Sequence, residues 1–135
     1  MTKAIPTIQK YMTTSPHSVG REQTLAHAHA VLREAHIRHL PVLHGGVLVG
    51  MVTQRDLALI ESLEAVDPKK VTVEDAMSTE VYSVSPDAPL DEVVLEMAEK
   101  KYGSAVVVQN HKVVGIFTTV DACRALGELL ASRLH

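Results

Sequence analysis

Gly50-Met51-Val52-Thr53-Gln54-Arg55-Asp56 recurs as Gly115-Ile116-Phe117-Thr118-Thr119-Val120-Asp121, 65 positions later. The same displacement, without a gap, carries Met12 onto Met77 and Thr14 onto Thr79. It also carries Ser18-Val19 onto Ser83-Val84, Leu25 onto Leu90 and Val49 onto Val114. Residues 12–56 hold 11 identities with their counterparts, where ordinary residue frequencies give roughly 3. The repeat is longer than the roughly 50 residues at which solenoid periods end, so the chain reads as one duplicated unit.

Each copy reads as strand, helix, strand, strand, helix. In the first, Ser18-Val19 is a short extended piece and Thr24 has the chemistry of a helix N-cap. Leu25, Ala28, Leu32 and Ala35 then share a helical face. Leu40 to Leu43 and Val47 to Val52 form two strands about a Gly45-Gly46 turn, where glycine takes positive φ without strain. Thr53 opens a second helix with Leu57, Ile60 and Leu63 on its apolar side. In the second copy Ser83-Val84 comes first. Pro89 fits the first turn of a helix, whose buried face is Leu90, Val93, Val94 and Met97. Ala105 to Val108 and Val113 to Phe117 flank a turn at residues 109–112. The last helix carries Ala122, Ala125, Leu126, Leu129 and Leu130. The two copies span 1–66, with an N-terminal segment, and 71–135, around the polar linker Asp67-Pro68-Lys69-Lys70. Neither can cover its own sheet on both sides, so each needs the other or a partner chain.

The composition narrows the function. At 135 residues the chain can bury a sizeable core. With no Trp and one Phe, that core must be aliphatic. A net charge of −3 with both signs dispersed argues against a nucleic-acid binder, which would show a basic patch. The single cysteine, Cys123, cannot form an internal disulfide, which suits a reducing, cytoplasmic setting. It reads as a small buried apolar group. The opening residues 1–12 lack an apolar h-region, so no signal peptide is expected, and no run comes near the roughly 20 residues of a membrane span. His27 and His29 point to different helix faces, and the eight histidines have no metal-ligand spacing, so no metal site is expected. Met12, Met51, Met77 and Met97 read as core.

The repeated phrase places a glycine, then Thr, then Asp, where a buried strand gives way to a helix. Glycine there allows a close approach to the backbone. The threonine stands among the unpaired N–H groups of a helix start, which can receive a polar or anionic group. A carboxylate one turn in can accept hydrogen bonds from the two hydroxyls of a ribose. Thr-x-x-Asp is also close to a capping box. Its repetition after the same glycine in both copies adds weight to a site, and the two roles are compatible. No nucleophile or metal accompanies Asp56 and Asp121, so catalysis is not expected.

The repeat, the string Arg38-His39-Leu40-Pro41-Val42, the two Gly-h-h-Thr-x-x-Asp phrases and the openings at Met12-Thr13 and Met77-Ser78 together resemble a tandem pair of CBS domains, a Bateman module. The resemblance spans essentially the whole chain. It implies an α/β fold of two β-α-β-β-α repeats packed about a pseudo-two-fold axis, with two clefts between them. It further implies a stand-alone regulatory module sensing AMP, ADP, ATP or S-adenosylmethionine, with no required cofactor. A homodimer and an unknown effector protein would be its partners, with neither nucleic acid nor membrane. By position, Asp56 and Asp121 would hold ribose hydroxyls, with Thr53 and Thr118 at the ribose or phosphate. Ser18-Val19 and Ser83-Val84 would border the nucleoside. Arg38, His39, Leu40 and Pro41, with Gly103, Ser104, Ala105 and Val106, would line the clefts. Arg38, His39, Arg55 and Lys112 are the candidate phosphate cations. Arg38, His39 and Arg55 give way to Gly103, Ser104 and Val120 in the second copy, so the clefts are chemically unequal. The alternative is a ligand-free dimerisation or adaptor domain whose motif residues only cap helices.

Overall fold

The computed structural model describes residues 4–63 and 65–134. Two compact units emerge: His17–Val81, and Met1–Pro16 together with Tyr82–His135. The packing therefore does not follow the cut of the repeat. Residues 4–16 belong with the body of the second copy, and the segment up to Val81 belongs with the body of the first. The outer limits of the sequence repeat, residues 1 and 135, lie outside the described residues.

The unit His17–Val81 is built on a three-stranded sheet of β2 (Val19–Gly20), β3 (His39–His44) and β4 (Val47–Thr53), in that order. β2 runs parallel to β3, and β3 and β4 form an antiparallel hairpin. Gly45 and Gly46 take φ of +58° and +81° at its tip, the left-handed pair that a tight hairpin turn requires. Helix α1 (Leu25–Ala35) starts on Thr24, whose side chain accepts from the His27 amide. It ends on His36 in the left-handed conformation. Helix α2 (Gln54–Glu61) follows β4 directly. Leu25, Ala28, Leu32, Leu40, Val42, Val52 and Leu57 form the core, closed by Val73 from the trailing segment. That segment is stitched on by main-chain bonds, Val73 N–H to the Gln23 carbonyl at 2.8 Å and Leu25 N–H to the Val71 carbonyl at 3.0 Å. Its Ser78 pairs with Met51.

The other unit repeats the plan with β5 (Ser83–Val84), α3 (Leu90–Lys100), β6 (Ser104–Gln109), β7 (Lys112–Thr118) and α4 (Thr119–Leu134). Its sheet gains a fourth strand, β1 (Thr13–Thr14), antiparallel to β7, giving the order β1-β7-β6-β5. The hairpin turns on Asn110 and His111, both with positive φ. Ile8 from the leading segment is fully buried among Val93, Met97, Ala105, Val107, Phe117 and Ala125.

Several sequence expectations shift. Pro89 is the cap just ahead of α3, because its ψ of 133° is extended. Leu63 lies beyond the end of α2 and is 55% exposed. On α4 the core stripe is Ala122, Ala125 and Leu129. Leu126 and Leu130 fall one position outside it and face solvent. The same geometry turns Cys123 outward, so its side chain is exposed and not a core group.

Candidate functional site

Strand alternation sorts the candidate residues of the His17–Val81 unit. Leu40 faces Val52 and Val42 faces Gly50 across the hairpin, on the core side. His39 faces Thr53 and Pro41 faces Met51 on the opposite side. Ser18 precedes Val19, which pairs with Val42 and enters the core. The structure thus gathers Ser18, His39, Pro41 and Thr53 at one corner of the sheet, with Asp56 one turn into α2. Val19 and Leu40 offer only backbone there. Arg55 is exposed on α2. Arg38 is exposed next to His39, accepts from the Gln54 amide through its carbonyl at 3.0 Å, and lines a groove beside α1 with Gln54.

The corner is held by a reciprocal capping box. Thr53 N–H donates to Asp56 Oδ2 at 3.0 Å, and Asp56 N–H donates to Thr53 Oγ1 at 3.1 Å. Asp56 is half-buried, and Oδ1 has no hydrogen-bond partner among the described residues. Burial holds the His39 imidazole below its ordinary range, the Arg38 guanidinium adds to this, and the Asp56 carboxylate partly offsets it. His39 therefore favours its neutral form, able to donate through one ring nitrogen and accept through the other.

The equivalent corner in the other unit is closed. Ser104 faces Thr118 and Val106 faces Ile116. Ser83 pairs with Val106 across β5 and β6, and Val84 packs partly buried against the core. The side chains of Ala105 and Val106 are buried. Asp121 is only 3% exposed. Its Oδ2 accepts from the Thr118 amide at 2.9 Å. Its Oδ1 accepts from Thr13 Oγ1 at 3.1 Å and from Arg124 Nη1 at 3.0 Å. Both oxygens are therefore engaged. Thr13 and Arg124 are the residues that sequence reasoning missed. The pairing of Thr13 with Ser78 in the repeat, a hydroxyl in both copies, was the available signal for the first. Beside this corner Tyr82 stacks on Tyr102 with centroids 5.1 Å apart. Burial, with Glu96 next, pushes the Tyr82 hydroxyl above its ordinary range.

The glycine of each phrase has a structural occupant. A β-carbon on Gly50 would fall 2.6 Å from Met77 Sδ and 2.9 Å from the Ser78 carbonyl oxygen. On Gly115 it would collide with Met12 Sδ. The close approach is thus made by the half-buried methionine that opens each repeat.

Comparison with known proteins agrees with this architecture. The chain is 30% identical over 127 residues to a CBS domain-containing protein, YhcV, of Bacillus subtilis, covering 94% of this chain and 85% of that one. It superposes with a TM-score of 0.80 on the CBS domain pair of protein MJ0100 in complex with 5′-methylthioadenosine and S-adenosyl-L-methionine. That match is 27% identical and covers 93% and 98% of the two chains. A third similarity is to CBSX2 in complex with AMP, with a TM-score of 0.81, 25% identity and coverage of 92% and 98%. The CBS domain profile matches residues 8–61 and 73–128, and the chain belongs to the CBS domain family.

Proposed function

We propose that this chain is a regulatory module that binds an adenosine-bearing ligand at the Asp56 corner. The observation that carries the reading is a half-buried carboxylate with one oxygen fixed by the helix cap and the other without a hydrogen-bond partner among the described residues. A ribose supplies two adjacent hydroxyls to such an acceptor. Neutral His39 and the main chain of β3 are placed to read the remainder of the ligand. AMP, ADP, ATP and S-adenosylmethionine are the candidates, and the ligands named for MJ0100 and CBSX2 support that class. At the Asp121 corner the same ligand must displace Thr13 or Arg124, so that corner is the weaker one. Binding would act by population shift, favouring the conformer whose corner fits the ligand. The output passes to an effector protein and not to catalysis on this chain. Exposed Leu59 on α2 and Val120, Leu126 and Leu130 on α4 support a homodimer. The exposed thiol of Cys123 fits a reducing cytoplasm.

A thermal-shift panel of adenosine, AMP, ADP, ATP and S-adenosylmethionine tests the reading. A ligand at 100 times its dissociation constant adds about 2.7 kcal/mol of stability. Asp56→Ala should weaken the best ligand about tenfold or more, since a hydrogen bond to a charged group contributes about 1.5–3 kcal/mol. Equal affinity in wild type and variant would remove Asp56 from the site. No response to any member of the panel would favour the adaptor reading.

A further inference from the structure

Leu59 follows Asp56 by three residues on α2, and Arg124 follows Asp121 by three on α4. On a helix that spacing puts both members of a pair on one face. The 65-residue displacement makes Leu59 and Arg124 counterparts, as it makes Ser78 the counterpart of Thr13. The second pair keeps a hydroxyl in both copies. The first exchanges an apolar side chain for a cation, so the two acids meet different neighbours on their own helices.

The bonding follows this exchange. The helix cap uses Oδ2 of each acid, from the Thr53 amide at 3.0 Å and from the Thr118 amide at 2.9 Å. On Asp121 the remaining oxygen, Oδ1, accepts from Arg124 Nη1 at 3.0 Å. On Asp56 the remaining oxygen has no partner among the described residues, and exposed Leu59 offers no donor. The fold does not require the arginine, because the Thr53 cap closes without one. The Arg124 side chain is 58% exposed while that of Asp121 is 4% exposed. The guanidinium can therefore leave the carboxylate for water without disturbing the core. A pair with so exposed a cation adds little to stability. What it does is occupy, by a charge-assisted bond, the acceptor that a ribose hydroxyl would use.

We propose, resting on the adenosine reading above, that Arg124 decides which corner takes ligand. It is a latch on Asp121, and Leu59 at the equivalent position leaves Asp56 open. The Asp121 corner loads only when the guanidinium swings into solvent, so the Asp56 corner fills first. Calorimetric titration of the full chain with AMP and with S-adenosylmethionine tests this, together with carbodiimide labelling of the carboxylates read by peptide mass spectrometry. Asp56→Ala isolates the Asp121 corner. In that background Arg124→Ala should tighten the remaining binding about fivefold or more, since it releases a hydrogen bond between charged groups. In the otherwise unaltered chain, Leu59→Arg should weaken the Asp56 corner by a similar factor. Both positions are exposed on helices, and alanine and arginine are good helix formers, so the variants fold. Labelling needs no ligand: Arg124→Ala should speed modification of Asp121, and Leu59→Arg should slow that of Asp56. Unchanged labelling of both acids overturns the latch. Altered labelling with unchanged affinities also overturns the proposal, because Arg124 would then cover the acid without governing the ligand. Labelling that shifts as expected while neither ligand binds any variant overturns the adenosine reading and keeps the latch on Asp121.

Discussion

An alanine at Asp121 would leave Thr13 Oγ1, Arg124 Nη1 and the Thr118 amide without their acceptor. At Asp56 it would remove one arm of a capping box on a half-buried site. Urea denaturation should therefore show a loss of about 2–3 kcal/mol for Asp121→Ala and about 1 kcal/mol for Asp56→Ala. Thr13→Ala should lower stability in the wild type and have little further effect in Asp121→Ala, because the two changes break the same bond. The buried His39 gives a pH dependence whose sign follows from its lowered folded-state value. Below the ordinary value of 6.5 the unfolded chain takes up the proton first, so His39 destabilises the fold as pH falls through that window and contributes nothing above it. His39→Gln should flatten the decline in melting temperature between neutral and mildly acidic pH. An unchanged slope would show that His39 is not responsible. The capping pairs were legible in the sequence, since Thr-x-x-Asp after an apolar run specifies them. The unequal bonding of the two acids was not, because it depends on Thr13, which lies 108 positions from Asp121.

The elements themselves follow from local chemistry. Thr24 and Thr53 cap their helices, and the two hairpins turn where Gly45-Gly46 or Asn110-His111 can take positive φ. The apolar stripe of α4 was harder to read, because leucines and alanines occupy adjacent stripes and periodicity does not rank them. Ala122 and Ala125 pack on the core while Leu126 and Leu130 stay exposed. The strand glycines give an element-scale prediction. Gly50→Ala meets both the Met77 thioether, which can move, and the Ser78 carbonyl, which is tied into a strand pairing. For Gly115→Ala the nearest atoms all belong to the flexible Met12 side chain. Overpacking costs about 1–3 kcal/mol, so Gly50→Ala should approach the upper end and Gly115→Ala the lower. Pairing Gly115→Ala with Met12→Ala should restore part of the loss, and no recovery would rule out the methionine as the cause.

At the scale of the whole molecule the duplication was plain in the sequence, and the assignment of the leading segments was not. Repetition shows that Met12 and Met77 are equivalent. It is silent on which sheet each one covers, because either assignment preserves the equivalence. Only the packing separates them. A consequence for fragments follows. Residues 17–81 retain Val71, Val73, Ala76 and Met77 on their own core, whereas residues 1–66 lose all of these and keep Ile8, whose burial site lies in the other unit. The fragment 17–81 should show more helical circular dichroism and sharper thermal unfolding than 1–66, and the reverse order would contradict the unit boundaries.

During translation residues 4–16 leave the ribosome before the body of the unit they pack with. His17–Val81 can close its core as soon as residue 81 emerges. The opening stretch, with Ile8 still bare, must remain unpaired until β7 and α3 have been made. Nascent-chain proteolysis should then find residues 17–81 sheltered early and the stretch around Ile8 protected last.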